Sequence, residues 1–309
     1  MRDEQRVWDG WLAELPGADD MTAAELREAA RSAAGEALRR GDPRADGLAS
    51  DAVRAAGSGA VAAHLEREAT RAVLRARYRR ADDALGELTD ADLEPAAADP
   101  AGWEEVHPRL VTGRLLTRAW CDRLLAELDR LRAWCRAEDL PPTAPNSMNR
   151  YGLLLDDLGL GAAADRLTRE VLRPLAATHF ADLGGADLDD PHAFLVEYGE
   201  DADEHLDFHV DDSEVTLNLC LGSDFSGSEL LFQGLRCPAH LQTPCSPADQ
   251  YTHAHAPGVA LLHAGKHRHE AVPITGGRRV NLIVWCRSPS LRAAPRGGCP
   301  DWCRESRAR

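Results

Sequence analysis

Several features are missing from this sequence of 309 residues, and each absence narrows the classes of protein to consider. No run of 18 apolar residues occurs anywhere, which argues against a membrane-spanning helix. The N-terminal stretch MRDEQRVWDGWLAELPGADD lacks the apolar segment of a secretory signal peptide. We therefore expect a soluble, cytoplasmic protein that does not associate with membranes.

Positive charge is also in short supply. The chain has 36 Lys and Arg against 51 Asp and Glu, a formal net charge of -15, and Lys266 is its only lysine. A surface this acidic repels phosphate-rich polymers and anionic lipid headgroups. We expect no general affinity for nucleic acid or membrane, although the charge balance leaves room for a local basic patch.

The eight cysteines are widely scattered, which in a reducing compartment indicates thiols rather than a disulfide framework. Cys299 and Cys303 are the exception, because their spacing in CPDWC could hold a metal or form a redox pair. A structural zinc site usually has four ligands, and no second cysteine pair is evident. We expect no nearby Cys or His to complete a site, so both thiols should be dispensable for the chemistry.

The N-terminal region, residues 1–95, is rich in Ala, Arg, Leu and Glu, with apolar residues at helical spacing. This pattern predicts a helical region, whose role the sequence does not indicate. Thr22 and Glu25 fit a capping box, and Gly41 before Asp and Pro predicts the end of the first long helix. The Ala-, Asp- and Pro-rich stretch that follows predicts a linker over 96–105.

From residue 106 onward a short strand, an amphipathic helix and a second helix around 163–180 are expected. Beyond residue 190, short runs of β-branched and aromatic residues alternate with Gly, Pro, Asp and Ser turns. The predicted strands are FLVEYG, VTLNLCLG, SELLFQG, GVALLHAG and RRVNLIVWC. They predict a mainly β domain over 106–290, an antiparallel barrel or jelly roll with flanking helices, and a Cys-containing tail over 291–309.

The segment EHLDFHVDD contains the pattern His-x-Asp twice, at His205/Asp207 and at His209/Asp211. In a strand, residues two apart point to the same face, so each pair aims an imidazole and a carboxylate at one point. Such a pair supplies two of the three ligands of a facial triad for non-haem iron(II). A stretch this acidic could equally be a solvated loop, so the remainder of the chain must decide.

A third ligand is expected from a later strand that closes over the first pair. His263, His267 and His269 are the candidates, and Arg279 follows His269 across a turn rich in Pro and Gly. An iron(II) oxygenase that uses 2-oxoglutarate needs a cation for the distal carboxylate, and Arg can bind a carboxylate in a bidentate fork. Arg279, Asn281 and Ile283 share one strand face, so the first two could project inward together. These residues predict one pocket for metal and cosubstrate.

The motifs of this chain, taken in their order along the sequence, resemble those of the prolyl-4-hydroxylase-like branch of the iron(II)/2-oxoglutarate dioxygenases. The resemblance rests on Tyr198 ahead of FHVDD, on FSGSELLF and on HEAVPITGGRR. PNSMNRYGLLLDDLGL, FHVDDSEVTLNLCLG, the Leu-His-x-Gly run at 262–265, VNLIVW and CPDWCRE look most like the type called "2-oxoglutarate and iron-dependent oxygenase domain-containing protein 2". The likeness spans about 106–305, and residues 1–95 carry no matching motif.

The resemblance implies a double-stranded β-helix and favours His209/Asp211 over His205/Asp207, because only His209/Asp211 stands directly before the strand in SEVTLNLCL. It implies that His209, Asp211 and His269 bind iron.

Several further residues are weaker candidates. The cosubstrate candidates are Arg279, Tyr198, Asn218 and Asn281; Asn218 could instead be structural, and Tyr198 an ordinary strand residue. Asn146, Asn149 and Tyr151 could line a substrate entrance or form a helix-capping turn, His263 is expected to support the ligands or be structural, and His253 and His255 are expected in a loop.

The activity implied by the resemblance is hydroxylation of an unidentified substrate, with 2-oxoglutarate and O2 as cosubstrates, succinate and CO2 as products, and ascorbate as reductant. Asp211 favours hydroxylation, because halogenating relatives lack this carboxylate. The substrate is expected to be a small molecule, an amino acid or a peptide, and the oligomeric state stays open. Two alternatives remain: an inactive jelly roll that binds a ligand or partner, and a cupin-type metal enzyme that has no need for Arg279.

Overall fold

The computed structural model describes residues 2–141, 144–222, 224–294 and 298–303. The chain divides into two compact units, Met1–Ala81 with Glu127–Ala144, and Asp82–Ala126 with Pro145–Arg309. The first unit is helical, and the second contains every described strand. The predicted domain boundaries, including the linker over 96–105, stay predictions.

The helical unit is built on four helices of the N-terminal region. They are α1 (Arg2–Ala13), α2 (Ala23–Arg40), α3 (Asp51–Ala55) and α4 (Ser58–Arg77). Thr22 and Glu25 form the predicted capping box, each side chain accepting from the other residue's backbone N–H. Gly41 ends α2 with φ 66°, a conformation that costs glycine no Cβ clash. The prediction of a helical N-terminal region is confirmed.

The second unit contains further helices around its sheets. Helix α5 (Arg118–Ala137) has residues in both units, and α6 (Gly161–Leu167) leads through a π-helical turn into α7 (Arg173–His179). The predicted helix around 163–180 is therefore present, and a short α8 (Pro289–Ala293) follows the last strand. Among the helices of the described residues, none has the length and apolar character needed to cross a bilayer.

Twelve strands supply the sheets of the second unit. They are β1 (Glu104–His107), β2 (Leu110–Arg114), β3 (Gly152–Leu154), β4 (Asp189–Gly199), β5 (Leu206–His209), β6 (Val215–Gly222), β7 (Phe225–Gly227), β8 (Leu230–Leu235), β9 (Gln250–His253), β10 (Val259–Ala264), β11 (His267–Ala271) and β12 (Ile274–Arg287). The larger sheet has the order β1-β2-β10-β6-β12-β4-β3, with β7 also paired to β12. The smaller sheet has the order β5-β11-β8-β9. Every described pairing is antiparallel.

The two sheets share one apolar core. Phe194 of β4 and Ile283 and Trp285 of β12 cluster with Leu230 and Phe232 of β8. Each of these positions alternates with residues on the other face of its strand, so one face of each sheet is turned toward the core. Two antiparallel sheets packed in this way form the double-stranded β-helix, or jelly roll, that the sequence predicts, and the predicted fold class is confirmed.

Candidate metal centre

His209 and His269 are brought together by strand register. They are direct partners across the antiparallel pair of β5 and β11, and their ring centroids lie 4.3 Å apart. Residues in such a position have neighbouring side chains on the same face. Phe232 of β8 stacks on the other side of His269, with ring centroids 5.2 Å apart and planes inclined by 24°. The His269 ring is thus held between an imidazole and an aromatic wall.

Asp211 lies just after the end of β5 and is fixed through its own backbone. Its N–H donates to the carbonyl oxygen of Gly265 over 2.8 Å, and the ammonium of Lys266 donates to its carbonyl oxygen over 2.5 Å. Gly265 must lack a side chain, because a Cβ there would lie 2.2 Å from the carbonyl oxygen of Ser213. The only lysine of the chain therefore helps to position a carboxylate.

Three donor groups converge at this point: one nitrogen each of His209 and His269 and one oxygen of Asp211, all within 4.8 Å of one another. The Nε2 atoms lie 3.6 Å (His209) and 3.9 Å (His269) from Asp211 Oδ1. Each imidazole donates its Nδ1–H to a backbone carbonyl, His209 to Asp207 over 2.7 Å and His269 to His267 over 2.8 Å. A neutral imidazole then keeps its lone pair on Nε2, which is the form that a metal ligand requires.

The electrostatics favour a neutral His269 imidazole beside an ionised carboxylate. Burial lowers the pKa of His269 to about 3, with a further contribution from the neighbouring His209. Burial acts to raise the pKa of Asp211, but His269, His263 and His209 and the Thr216 hydroxyl outweigh it and hold the pKa below its usual value. Thr216 Oγ1 donates to Asp211 Oδ2 over 2.6 Å, which leaves Oδ1 facing the two Nε2 atoms.

The other candidate histidines take different positions. His205 and Asp207 form the second pair of the motif, and their side chains are 50% and 94% exposed, so this pair is on the surface. His267 is buried against the ring of Phe232 and lies outside the group of three donors. His263 is fully buried behind Asp211, with its Nε2 3.8 Å from Asp211 Oδ2.

The three donors lie in the wall of a cavity between the two sheets. Arg279, Tyr198, Asn218 and Asn281, the predicted cosubstrate residues, line the same cavity. Register explains their convergence, because Arg279 pairs with Tyr198 of β4, and Ile283 with Asn218 of β6. The structure therefore brings every residue of the predicted site into one place.

The guanidinium of Arg279 is the most unusual charge in this cavity. The residue is only 1% exposed, and the group lies over the Tyr198 ring, 4.3 Å from its centroid. Its NH1 contacts Nε2 of His255, while its Nε has no hydrogen-bond partner. Among the residues that the structure describes, no carboxylate forms a salt bridge with it. Burial lowers the pKa of Arg279, and arginine stays charged in proteins nevertheless.

Amides and a phenol complete the polar wall. Asn281 Nδ2 donates to Asn218 Oδ1, and Asn149 Nδ2 donates to Tyr198 Oη over 3.3 Å. Asn149 thus lines the cavity, whereas Asn146 forms a turn by accepting from the backbone N–H groups of residues 148 and 149. The turn at Asn146 leads into β3 and caps no helix, and a role of this segment at the substrate entrance stays a prediction.

Sequence reasoning missed two contributors. His255 was expected in a loop, and it does lie outside the described strands, but its ring contacts both Arg279 and Asn281. Lys266 was read only as a sign of composition. Neither residue carries a spacing signal, because each acts through a contact that only the folded chain creates.

The expectation that no nearby Cys or His completes a site with Cys299 and Cys303 is wrong, whereas the expectation that both thiols are dispensable for the chemistry stays a prediction. Cys237 and His240 lie beside Cys299 and Cys303, with one ligand atom of each residue within 4.8 Å of the others. Cys237 precedes Cys299 by 62 residues, and CPAH is not a cysteine pair, so the sequence search for a second pair could not find it. None of the eight cysteines, all of which are described, forms a disulfide.

Two imidazoles and one carboxylate on one side of a jelly-roll cavity form the donor set of a 2-His-1-carboxylate facial triad, the arrangement of non-haem iron(II) oxygenases. Residues 94–185 match the model of the OGFOD2-like domain. The matched segment ends before the strands that carry the donor cluster.

Two named relatives match a larger share of this chain than the domain model does. "2-Oxoglutarate and iron-dependent oxygenase domain-containing protein CP2" of Arabidopsis thaliana is 43% identical over 209 residues, 68% of this chain and 52% of the relative. "2-Oxoglutarate and iron-dependent oxygenase domain-containing protein 2" of Homo sapiens is 38% identical over 192 residues, 62% of this chain and 51% of the relative. The resemblance to this type of protein is therefore confirmed. The chain spans about half the length of these relatives.

Solved structures share a lower sequence identity with this chain than these relatives do. AviO1 from Streptomyces viridochromogenes Tue57 aligns over 67% of this chain and 99% of its own, with 20% identity and a TM-score of 0.46. The strand order described above, rather than this alignment, defines the fold.

Proposed function

We propose that this protein is an iron(II)- and 2-oxoglutarate-dependent dioxygenase that hydroxylates its substrate and releases succinate and CO2. The observation that carries the proposal is the Arg279 guanidinium, buried in the same cavity as three converging metal donors and without a carboxylate partner among the described residues. Burying an unpaired charge costs several kcal/mol, of the order of 3–5 kcal/mol when a partner is missing. A dianionic ligand with one carboxylate near the metal and one at Arg279 offsets this cost.

His255 strengthens the case for an acceptor ligand. Arg279 NH1 contacts Nε2 of its ring, and Asn281 Nδ2 lies 3.3 Å from Nδ1. A neutral imidazole has only one unprotonated nitrogen, so it accepts from only one of these two donors, and Asn281 Nδ2 also donates to Asn218 Oδ1. Burial, and then Arg279, hold the pKa of His255 well below its usual value, so the ring is neutral. A carboxylate has enough lone pairs to accept from both donors.

The metal donors fit iron(II). His209, Asp211 and His269 would hold the ion, because both imidazoles present an unprotonated Nε2 and Asp211 is anionic beside them. When bound, iron(II) with 2-oxoglutarate supplies activation of O2 coupled to oxidative decarboxylation of the cosubstrate. The chain's own residues orient the reactants: Arg279 binds the distal carboxylate, and the amides of Asn218 and Asn281 hold the remaining polar atoms.

The cavity walls keep water away from the reaction. The apolar lining residues include Phe194, Leu230, Ile283 and Trp285. An apolar lining strengthens the electrostatic contacts of the ligands and protects reactive species from side reactions. Asp211, rather than a small residue, occupies the carboxylate position, which favours hydroxylation as the outcome.

The finer assignments belong to the same proposal. The prime substrate is a small molecule, an amino acid or a peptide rather than nucleic acid or membrane, in keeping with the net charge of -15. Ascorbate serves as the reductant. A reducing compartment such as the cytoplasm fits the eight cysteines, none of which forms a disulfide.

The test is incubation of the purified protein with iron(II), ascorbate and 2-oxoglutarate in air, with succinate measured by NMR. Parent protein should form succinate, including by turnover uncoupled from a prime substrate, and Asp211→Ala should form none above the protein-free control. No succinate from iron-loaded parent protein, with or without a peptide or metabolite pool, would favour the inactive jelly roll. A metal-dependent reaction that proceeds without 2-oxoglutarate would favour the cupin-type enzyme.

A further inference from the structure

Two short segments meet at the end of β8. The first, CPAH, follows β8 directly and turns at Pro238–His240 so that Cys237 and His240 face one another. The second, CPDWC, belongs to the C-terminal tail and presents Cys299 and Cys303. The backbone N–H of Cys237 donates to Sγ of Cys303 over 3.4 Å, so the tail is hydrogen-bonded to the strand end.

The four side chains surround one point. His240 Nδ1 lies 3.1 Å from Cys237 Sγ and 3.7 Å from the Sγ atoms of both Cys299 and Cys303. The Sγ atoms of Cys237 and Cys299 are 3.9 Å apart. Tetrahedral zinc with its usual bonds to sulfur and nitrogen places ligand atoms about 3.5–3.8 Å from each other. These separations therefore match a zinc coordination shell.

We propose that Cys237, His240, Cys299 and Cys303 bind one structural Zn²⁺ ion. Three thiolates and one imidazole form a soft donor set that selects zinc over the hard cations. Four protein donors fill a tetrahedral shell and leave no open position, which is the mark of a structural rather than a catalytic site. Binding displaces the three thiol protons, since thiolate is the form that coordinates metal.

The location suggests what the ion does. Cys237 follows β8, whose Phe232 stacks on His269, and it begins the segment that leads through β9 to His255 beside Arg279. A zinc ion at this position ties the tail to the segment that connects these two walls of the cavity. The ion would hold the segment in place and take no part in chemistry.

The first test measures zinc by plasma mass spectrometry in protein prepared with a reductant and zinc-supplemented medium. Parent protein and Cys245→Ser should each contain one zinc ion per chain, while Cys299→Ser/Cys303→Ser and His240→Ala should lose it. Cys245 is a matched control, because it lies in the same segment outside the four-residue cluster. The His209→Ala/Asp211→Ala variant should keep its zinc, which separates this site from the cavity cluster.

Two further measurements hold even if a cysteine variant fails to fold. A mercurial thiol reagent should release one zinc ion from folded parent protein, and Co²⁺ in its place should give the visible spectrum of a tetrahedral thiolate site. His240→Cys should retain zinc, because it converts the shell to four thiolates. Zinc content well below one per chain in the parent, zinc retained by Cys299→Ser/Cys303→Ser, or a disulfide between Cys237 and Cys299 in freshly purified protein would each overturn the proposal.

Discussion

His205/Asp207 and His209/Asp211 share the same residue types and spacing on adjacent parts of one segment, yet their surroundings are opposite. The first pair is exposed, and its imidazole and carboxylate lie 3.6 Å apart at the surface. The second pair is closed in by β11 on one side and by Gly265 and Lys266 on the other. Among the residues that the structure describes, only the second pair has a third donor, His269, within reach.

This difference shows that the spacing of a His-x-Asp pair determines only that its two side chains point the same way. Burial and strand register determine whether a third metal donor lies beside them. His209 is opposite His269 because β5 pairs with β11, and this pairing stops short of His205. Hydrogen bonds from Thr216 and Lys266 then fix Asp211, while the carboxylate of Asp207 is 94% exposed and free to move. A metal site needs ligands that neighbouring groups hold in place, as they hold Asp211.

The largest effect is expected from removing a donor of the buried pair. His209→Ala or Asp211→Ala removes one of three metal bonds, so the protein should lose its iron and form no succinate above background. His269→Ala should behave in the same way. Iron is measured by plasma mass spectrometry after anaerobic loading, and succinate by NMR.

The exposed pair is the matched control for this experiment. His205→Ala and Asp207→Ala remove the same two groups from the same segment and should retain the iron content and succinate formation of the parent. Loss of iron from His205→Ala together with retention by His209→Ala would reverse the assignment of the two pairs.

The next largest effect is expected at Arg279. Arg279→Ala should leave iron bound but raise the apparent KM for 2-oxoglutarate, because the arginine contacts the cosubstrate and not the metal. Loss of a charge-assisted bidentate pair costs on the order of 2–4 kcal/mol, or roughly 30- to 1000-fold in affinity. Arg279→Lys should recover part of this, since lysine keeps the charge and loses the fork.

Arg278 supplies the control, with a conservative substitution. Arg278 NH2 lies 2.9 Å from the carboxylate of the fully buried Glu197, so Arg278→Ala would strand that charge. Arg278→Lys keeps a cation there and should leave the KM for 2-oxoglutarate near that of the parent. An equal increase in KM for Arg278→Lys and Arg279→Lys would show that the effect comes from general disturbance of β12.

A smaller effect is expected from the pH dependence of stability. Burial lowers the pKa of His253 to about 4, whereas an unfolded chain binds the proton near pH 6.5. The unfolded state therefore holds more protons between these values, and stability present above pH 6.5 is lost as the pH falls toward 4. His253 alone should contribute about 2 kcal/mol of this loss between pH 7.5 and pH 5.

Urea unfolding of metal-free protein at the two pH values measures this loss. His253→Gln should show a shallower dependence than the parent, whatever its absolute stability, because it removes one titrating group. Equal slopes for His253→Gln and the parent would mean that His253 titrates normally in the folded protein.

Much of the larger sheet could be predicted because its strands have an obvious pattern. β6 and β12 are rich in Val, Ile and Leu; β6 is wholly buried, and β12 is buried over residues 279–286, as expected for central strands. β11 could not be predicted, because its sequence HRHEA is polar and resembles a loop. Its burial comes from pairing with β5 and β8 on both sides, a tertiary effect that local pattern does not contain.

Some residues of the candidate sites could likewise be predicted from the sequence, and others could not. His209, Asp211, His269 and Arg279 could be identified because spacing and a family resemblance point to them. Cys237 and His240 could not, since Cys237 is 62 residues from Cys299 in sequence and only the folded chain brings them together. Arg278 looked interchangeable with its neighbour in sequence, but strand alternation pairs it with Glu197 on the opposite face of β12.

Calorimetric titration of 2-oxoglutarate tests most directly whether metal and cosubstrate share one site. The protein is loaded with Mn²⁺, which replaces iron(II) without turnover. Parent protein should bind one equivalent when Mn²⁺ is present and bind far more weakly without it, and Arg279→Ala should weaken binding to the loaded protein. The same affinity with and without Mn²⁺, or the same affinity in Arg279→Ala as in the parent, would contradict the account.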